Sequence, residues 1–151
     1  MMHQQPDIMG QLLERATAAA KAGEVPVAAA ITGPDGSLIT LAENRMVRDG
    51  TALHHAEILA IQAAIKIQGT SRLESCDLWV TLEPCTMCAG AIAHARLRRL
   101  YFGARDEKAG AVESGVRFFD QPSCHHKPEV YGGMSEQAAS ALLRQFFQDR
   151  R

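Results

Sequence analysis

Two nearly continuous apolar runs, "VPVAAAIT" (25–32) and "DLWVTLE" (77–83), constrain this chain more than any other feature. Such runs lack the alternation of a half-wet strand, so both faces must be covered, as in a sheet sandwiched between helices. Helical patterns supply the cover. Residues 7–22 carry Ile8, Leu12, Leu13 and Ala16 at helical spacing, with Gly23 as the stop. "GPDGS" (33–37) is turn chemistry and "LITLAEN" (38–44) the returning strand. Residues 55–68 read as a helix ended by Gly69, 85–97 as a helix, and "RLYFGA" (99–104) as a further strand. The segment 106–134 is rich in Gly, Pro and His, with room for one strand near 128–131, and 135–149 form an amphipathic helix. Strands alternating with helices predict a three-layer αβα sandwich with a mixed five-stranded sheet.

The 151 residues suit one domain, 1–151. A net charge of -1 excludes a globally basic nucleic-acid binder and leaves only local patches. No apolar run approaches the roughly 20 residues of a membrane span. "MMHQQPDIMG" lacks the basic and apolar regions of a secretory signal, so a cytoplasmic location is expected. In that setting the close pair Cys85 and Cys88 points to metal binding or catalysis rather than a disulfide.

Those cysteines belong to "EPCTMC", which lies thirty positions beyond "HAE" at 55–57. His55, Cys85 and Cys88 offer one imidazole and two thiolates, a set that suits tetrahedral zinc, one per chain, with its fourth position left for water. His55 and Cys85 each stand at an expected helix start, where the helix dipole favours thiolate and other anions. Glu57 is too close in sequence to His55 to be a comfortable fourth ligand. It is placed to take a proton from a metal-activated water and pass it to a leaving nitrogen. His-x-Glu followed by Pro-Cys-x-x-Cys is the general signature of zinc nucleobase deaminases, so this step is a pattern match. A thioredoxin-like redox pair would leave His55 and Glu57 unexplained. His54 is expected at the pocket wall or behind the ligands, with a plain helix-cap role as the bland alternative. "CHH" at 124–126 reads as loop and Cys76 as a structural thiol.

The sequence resembles the bacterial tRNA-specific adenosine deaminases of the cytidine deaminase-like superfamily. The similar stretches are "GEVPVAAAI", Asn44–Arg45, "HAEILAI", "LWVTLEPCTMCAGAIAHARLRRLYFGARDEKAGAVESG", "FFDQPSCHHKPEVYGGM" and "LLRQFF". They span nearly the whole chain, and the run from Leu78 to Gly115 is far more specific than the metal motif alone. The resemblance implies zinc on His55, Cys85 and Cys88, and Glu57 as proton shuttle. It implies Asn44, Ala56 and the backbone around Pro84 at the base or ribose, and Ala104, Asp106 and Phe147 at flanking nucleotides. It further implies a homodimer that deaminates the wobble adenosine of a tRNA anticodon loop. Two departures stand out. "TALH" (51–54) replaces the family's Asp-Pro-Thr-Ala, and Ala28 replaces a Gly on a strand expected to face the pocket. Ala28 would then narrow the base site, with Leu53 and His54 beside it, and "DGTALHHAE" leans toward the "GSATLHGE" of fungal cytosine deaminase.

Three functions compete. The first is a tRNA adenosine deaminase, with Arg96, Arg98, Arg99 and Arg105 and the C-terminal Arg144, Arg150 and Arg151 as phosphate patches, unless these are only solvated surface. The second is a deaminase of a small nucleobase or nucleoside of guanine, cytosine or adenine type. The third is a non-catalytic binding protein, for which the carboxylate of Glu57 would have no use.

Overall fold

Asp7 opens the first helix by accepting a hydrogen bond from the Gly10 N–H at 2.9 Å, which satisfies one of the unpaired donors of the first turn. The computed structural model describes residues 7–150. Helix α1 (Ile8–Lys21) leads to the hairpin β1 (Ala28–Thr32) and β2 (Leu38–Glu43). Then come α2 (Ala56–Gln68), β3 (Asp77–Leu82), α3 (Thr86–His94) and β4 (Arg99–Ala104). A single 3₁₀ turn (Phe118–Asp120), β5 (Glu129–Tyr131) and α4 (Glu136–Gln148) complete the order. Arg151 and the residues before Asp7, which include most of the N-terminal stretch read for a signal, lie outside the described residues.

The sheet order is β2-β1-β3-β4-β5. Strand β1 runs antiparallel to β2 and β3, while β3, β4 and β5 are parallel, so the sheet is mixed and five-stranded as expected. The period of a strand divides the fully buried β1 between two cores. Ala29 and Ile31 join Ala56, Ala60 and Ala64 of α2 on one face. Ala28 and Ala30 join Ile8, Met9, Leu12 and Ala16 of α1 on the other. Helices α2 and α3 cover the first face, α1 and α4 the second, which gives the αβα sandwich.

This pleat corrects one expectation. Ala28 does not face the pocket: its methyl packs under α1, on the opposite side of the sheet from α2. The Gly-to-Ala departure therefore falls in the core under α1.

Small side chains set the close approaches. A Cβ on Gly103 in β4 would lie 2.6 Å from the Thr81 carbonyl oxygen, so neighbouring backbone leaves room only for glycine there. Most element ends lie within one residue of expectation, and two differ by three. Strand β1 starts at Ala28 instead of residue 25, because Pro26 has no N–H for the ladder. Helix α3 ends at His94 instead of residue 97, because Arg96 turns the chain back at φ 60°.

Candidate metal centre and its pocket

Helices α2 and α3 begin side by side beyond the carboxyl end of β3. Their N-cap residues are His55 and Cys85, both in extended backbone geometry. His55 Nδ1 lies 3.7 Å from Cys85 Sγ and 3.6 Å from Cys88 Sγ. The ligand atoms of all three residues fall within 4.8 Å of one another. Cys88 is buried, and His55 and Cys85 are half-buried. Thirty residues of separation collapse to contact because α2 and α3 pack on the same face of the sheet, each starting at its carboxyl edge.

The electrostatics suit a cation. The Cys88 thiol hydrogen-bonds the Cys85 sulfur and, with His55, holds Cys85 down at about 4, against the desolvation of the site. Cys88 is pushed up by that same bond and by burial. The bond to Cys85 raises His55. The pair thus favours the thiolate on Cys85 and the thiol on Cys88, and a metal bound there would displace the remaining proton. Glu57, in the first turn of α2, is buried at 4% exposure. Desolvation raises its carboxyl to about 7, the range in which a group can both take and give a proton near neutrality.

A cavity of about 150 Å³ adjoins these groups, with Val27, Asn44, Met46, Glu57 and Asp106 in its wall. It shares Val25, Leu82, Asp106 and Ala109 with a wider, mainly apolar groove of about 750 Å³ that runs to Leu143 and Phe147. Asn44 does structural work at the cavity edge: its Oδ1 accepts the Ala56 N–H at 2.8 Å and so caps α2. Ala56 is fully buried with that N–H spent on Asn44. Pro84 is buried, and its carbonyl accepts the Ala111 N–H. Asp106 and the half-exposed Phe147 line the groove. Ala104 is buried at 2%, outside both walls, with its carbonyl bonded to the Glu83 N–H.

His54 points away from the pocket, with Nδ1 2.8 Å from Asp49 Oδ2. Consecutive residues entering a helix diverge, so placing His55 on the metal side sends His54 outward. Leu53 is also turned to solvent, at 60% exposure. His126 Nε2 contacts the Leu97 carbonyl and Cys124 Sγ the His126 carbonyl, so "CHH" pins a loop, as expected. Cys76 is buried in the main core.

Sequence reading missed two buried carboxylates at the rim. Glu24 accepts the Val47 and Arg48 N–H groups at 3.0 and 2.7 Å. Glu83 accepts the N–H groups of Asp106, Val112, Glu113 and Ser114 and the Ser114 hydroxyl. The available signal was position: an acid abutting an apolar run is buried, and a buried acid must find donors.

A family model described as MafB19-like deaminase matches residues 3–151. A tRNA-specific adenosine deaminase of Agrobacterium fabrum is 49% identical over 150 residues, covering 99% of this chain and 98% of that protein. The chain belongs to the tRNA-specific adenosine deaminase family. Among solved structures, a protein from a study of A-to-I editing by tRNA:A34 deaminases at the wobble position matches this family member with TM-score 0.87. It is 50% identical, and the match covers 89% of this chain and 97% of that one. A guanine deaminase from Nitrosomonas europaea matches at TM-score 0.74 and 29% identity, covering 91% and 81% of the two chains. The deaminase fold is thus shared by the two substrate classes, but the likeness is greater on the tRNA side.

Proposed function

We propose that this chain is a zinc-dependent hydrolytic deaminase that converts the wobble adenosine of a tRNA anticodon to inosine. The observation that carries the chemistry is the meeting of His55, Cys85 and Cys88 at two helix N-termini, with Glu57 buried beside them. The donor set fits zinc: one borderline nitrogen and two soft sulfurs, with no fourth side chain among the described residues grouped with them. Bound there, zinc supplies Lewis acidity that brings the pKa of a water from about 16 to about 7.

The chain's own residues do the rest. Glu57 takes the proton of the attacking water and delivers it to the departing exocyclic nitrogen, so that a C–O bond replaces a C–N bond and ammonia leaves. Burial keeps its carboxyl poised for both transfers. Asn44 holds the start of α2, and with it the orientation of His55 and Glu57. The groove from Asp106 to Phe147 is where nucleotides flanking the base would lie, with Arg105 as a phosphate partner.

The choice of tRNA over a free base rests on the likeness to the Agrobacterium fabrum protein and to the tRNA:A34 deaminase structure. The reading includes one domain, one zinc per chain, a cytoplasmic location and a homodimer. Val47, Leu53 and Val116, apolar and more than half exposed, support association through the loops near the pocket.

The test is direct. Purified protein is incubated with an anticodon stem-loop carrying a wobble adenosine and, separately, with free guanine, cytosine, adenine and their nucleosides. Inosine is expected in the RNA, with no ammonia from the small molecules. Ammonia from a free base without inosine in the RNA would replace this reading with the small-molecule one.

A further inference from the structure

Glu83 has no part in the chemistry described above, yet it is among the most heavily bonded side chains near the site. It sits between β3 and Pro84, 2% exposed. Its Oε1 accepts the Asp106 N–H at 2.9 Å and the Ser114 hydroxyl at 3.0 Å. Its Oε2 accepts the N–H groups of Val112, Glu113 and Ser114 at 3.0, 2.8 and 3.0 Å. All of these donors lie on the loop 106–114, which carries Asp106 and Ala109 of the cavity wall. The same loop is tied to the start of α3 through the Ala111 N–H on the Pro84 carbonyl and a Cys85–Gly110 bridge. Gly110 lies flush on this arrangement: a Cβ there would meet both the Asp106 carbonyl oxygen and the Glu83 carboxyl carbon.

We propose that Glu83 is a positioning residue whose carboxylate holds the loop 106–114 as a preformed wall of the substrate pocket. It thereby sets substrate affinity rather than the rate of the chemical step. The inference rests on the proposed function for the identity of the substrate. Its physical basis is the donor and acceptor inventory. Five donors converge on two oxygens, and only an acceptor-only group satisfies them all. A glutamine of the same shape must turn its NH₂ toward either the Oε1 donors or the Oε2 donors, leaving donor against donor in a buried place. The loop would then lose its single arrangement. Ordering it would be deferred to the moment of binding, which weakens affinity without touching zinc or Glu57.

The experiment compares wild type with Glu83→Gln and Ser114→Ala on an anticodon stem-loop, with zinc content measured in each. Glu83→Gln is expected to keep wild-type zinc and a kcat within about threefold, while KM rises about tenfold or more. Ser114→Ala removes one of these bonds, and with it the bond that Arg105 Nε donates to the same hydroxyl, but no backbone group; KM should shift the same way by less. A second readout needs no turnover. In the wild-type protein the amides of Val112, Glu113 and Ser114 should exchange hydrogen slowly, and in Glu83→Gln they should exchange fast. A fall in kcat with KM unchanged, or fast exchange of these amides in the wild type, would overturn the proposal. If Glu83→Gln does not fold, wild-type exchange and Ser114→Ala decide it. If wild type makes no inosine, the tRNA reading fails by itself, and the exchange measurement still decides whether Glu83 holds the loop.

Discussion

Glu57 and Glu24 show how one residue type takes opposite characters from its surroundings. Glu57 is buried with few donors, and desolvation raises its carboxyl to about 7. Glu57→Ala should keep its zinc and lose turnover by about 10²–10⁴-fold, measured as inosine formed per zinc-loaded chain. Near-normal activity in that variant would remove Glu57 from the mechanism. Glu24 is equally buried, and burial alone would raise it. The Val47 and Arg48 N–H groups and the Arg48 guanidinium outweigh that effect and lower it below its ordinary 4.5. A lowered carboxyl adds stability that is present above the ordinary value and is lost as pH falls through the lowered one. Glu24→Gln should therefore cost about 1–3 kcal/mol near neutral pH. The deficit should shrink as the pH drops below 4.5, read from denaturant midpoints on both sides of that value. A deficit that grows in acid would contradict the assignment.

At the scale of elements, the start of α2 decides the site. His55 caps the helix by position and makes no side-chain capping bond, which leaves its imidazole to face Cys85 and Cys88. The cap bond comes instead from Asn44, across a loop of eleven intervening residues. Asn44→Ala strands the buried Ala56 N–H and should cost about 1–3 kcal/mol, a drop of several degrees in Tm. Asn44→Asp keeps that acceptor but loses the amide bond to the Val25 carbonyl, so it should recover part of the loss in calorimetry. Equal melting of the alanine and aspartate variants would show that the cap bond contributes nothing. The pairing of His55 with Cys85 and Cys88 was legible in the sequence because metal donors have characteristic spacing. The Asn44 cap was not, because a bond between a loop and a distant helix start leaves no periodic trace.

Across the whole molecule, the run of arginines from 96 to 105 does not form one patch. Arg98 forks onto Asp77 at 3.0 and 2.9 Å and Arg99 pairs with Glu129, both at the amino end of β4. Arg105 follows the carboxyl end of that strand, about 20 Å away by strand rise, and borders the groove beside the pocket. RNA affinity should therefore fall steeply with salt, and Arg105→Ala should flatten the log–log slope by about 0.7 per lost contact. Arg98→Ala should leave that slope alone and lower Tm instead, since it strips Asp77 of its two-bond partner and leaves it only Arg99 at 4.0 Å. Fluorescence anisotropy of a labelled stem-loop across a salt series separates the two. Equal effects on the slope would mean that RNA reaches both ends of the sheet.

The sequence by itself determined the layer architecture, the meeting of His55 with Cys85 and Cys88, and the family. Apolar runs that cannot meet water demand a covered sheet, and thiolate and imidazole spacing survives any detail of packing. Tertiary structure decided which way each of these residues faces. Ala28 turned from pocket lining to a core residue under α1 because a pleated strand sends neighbouring side chains to opposite faces, and sequence alone does not say which face holds the site. His54 turned outward to Asp49 and Leu53 to solvent because consecutive residues entering α2 diverge, and His55 faces the two cysteines. Glu24 and Glu83 became loop anchors because backbone donors far away in sequence converge on them, and such donors carry no residue identity that a sequence could display.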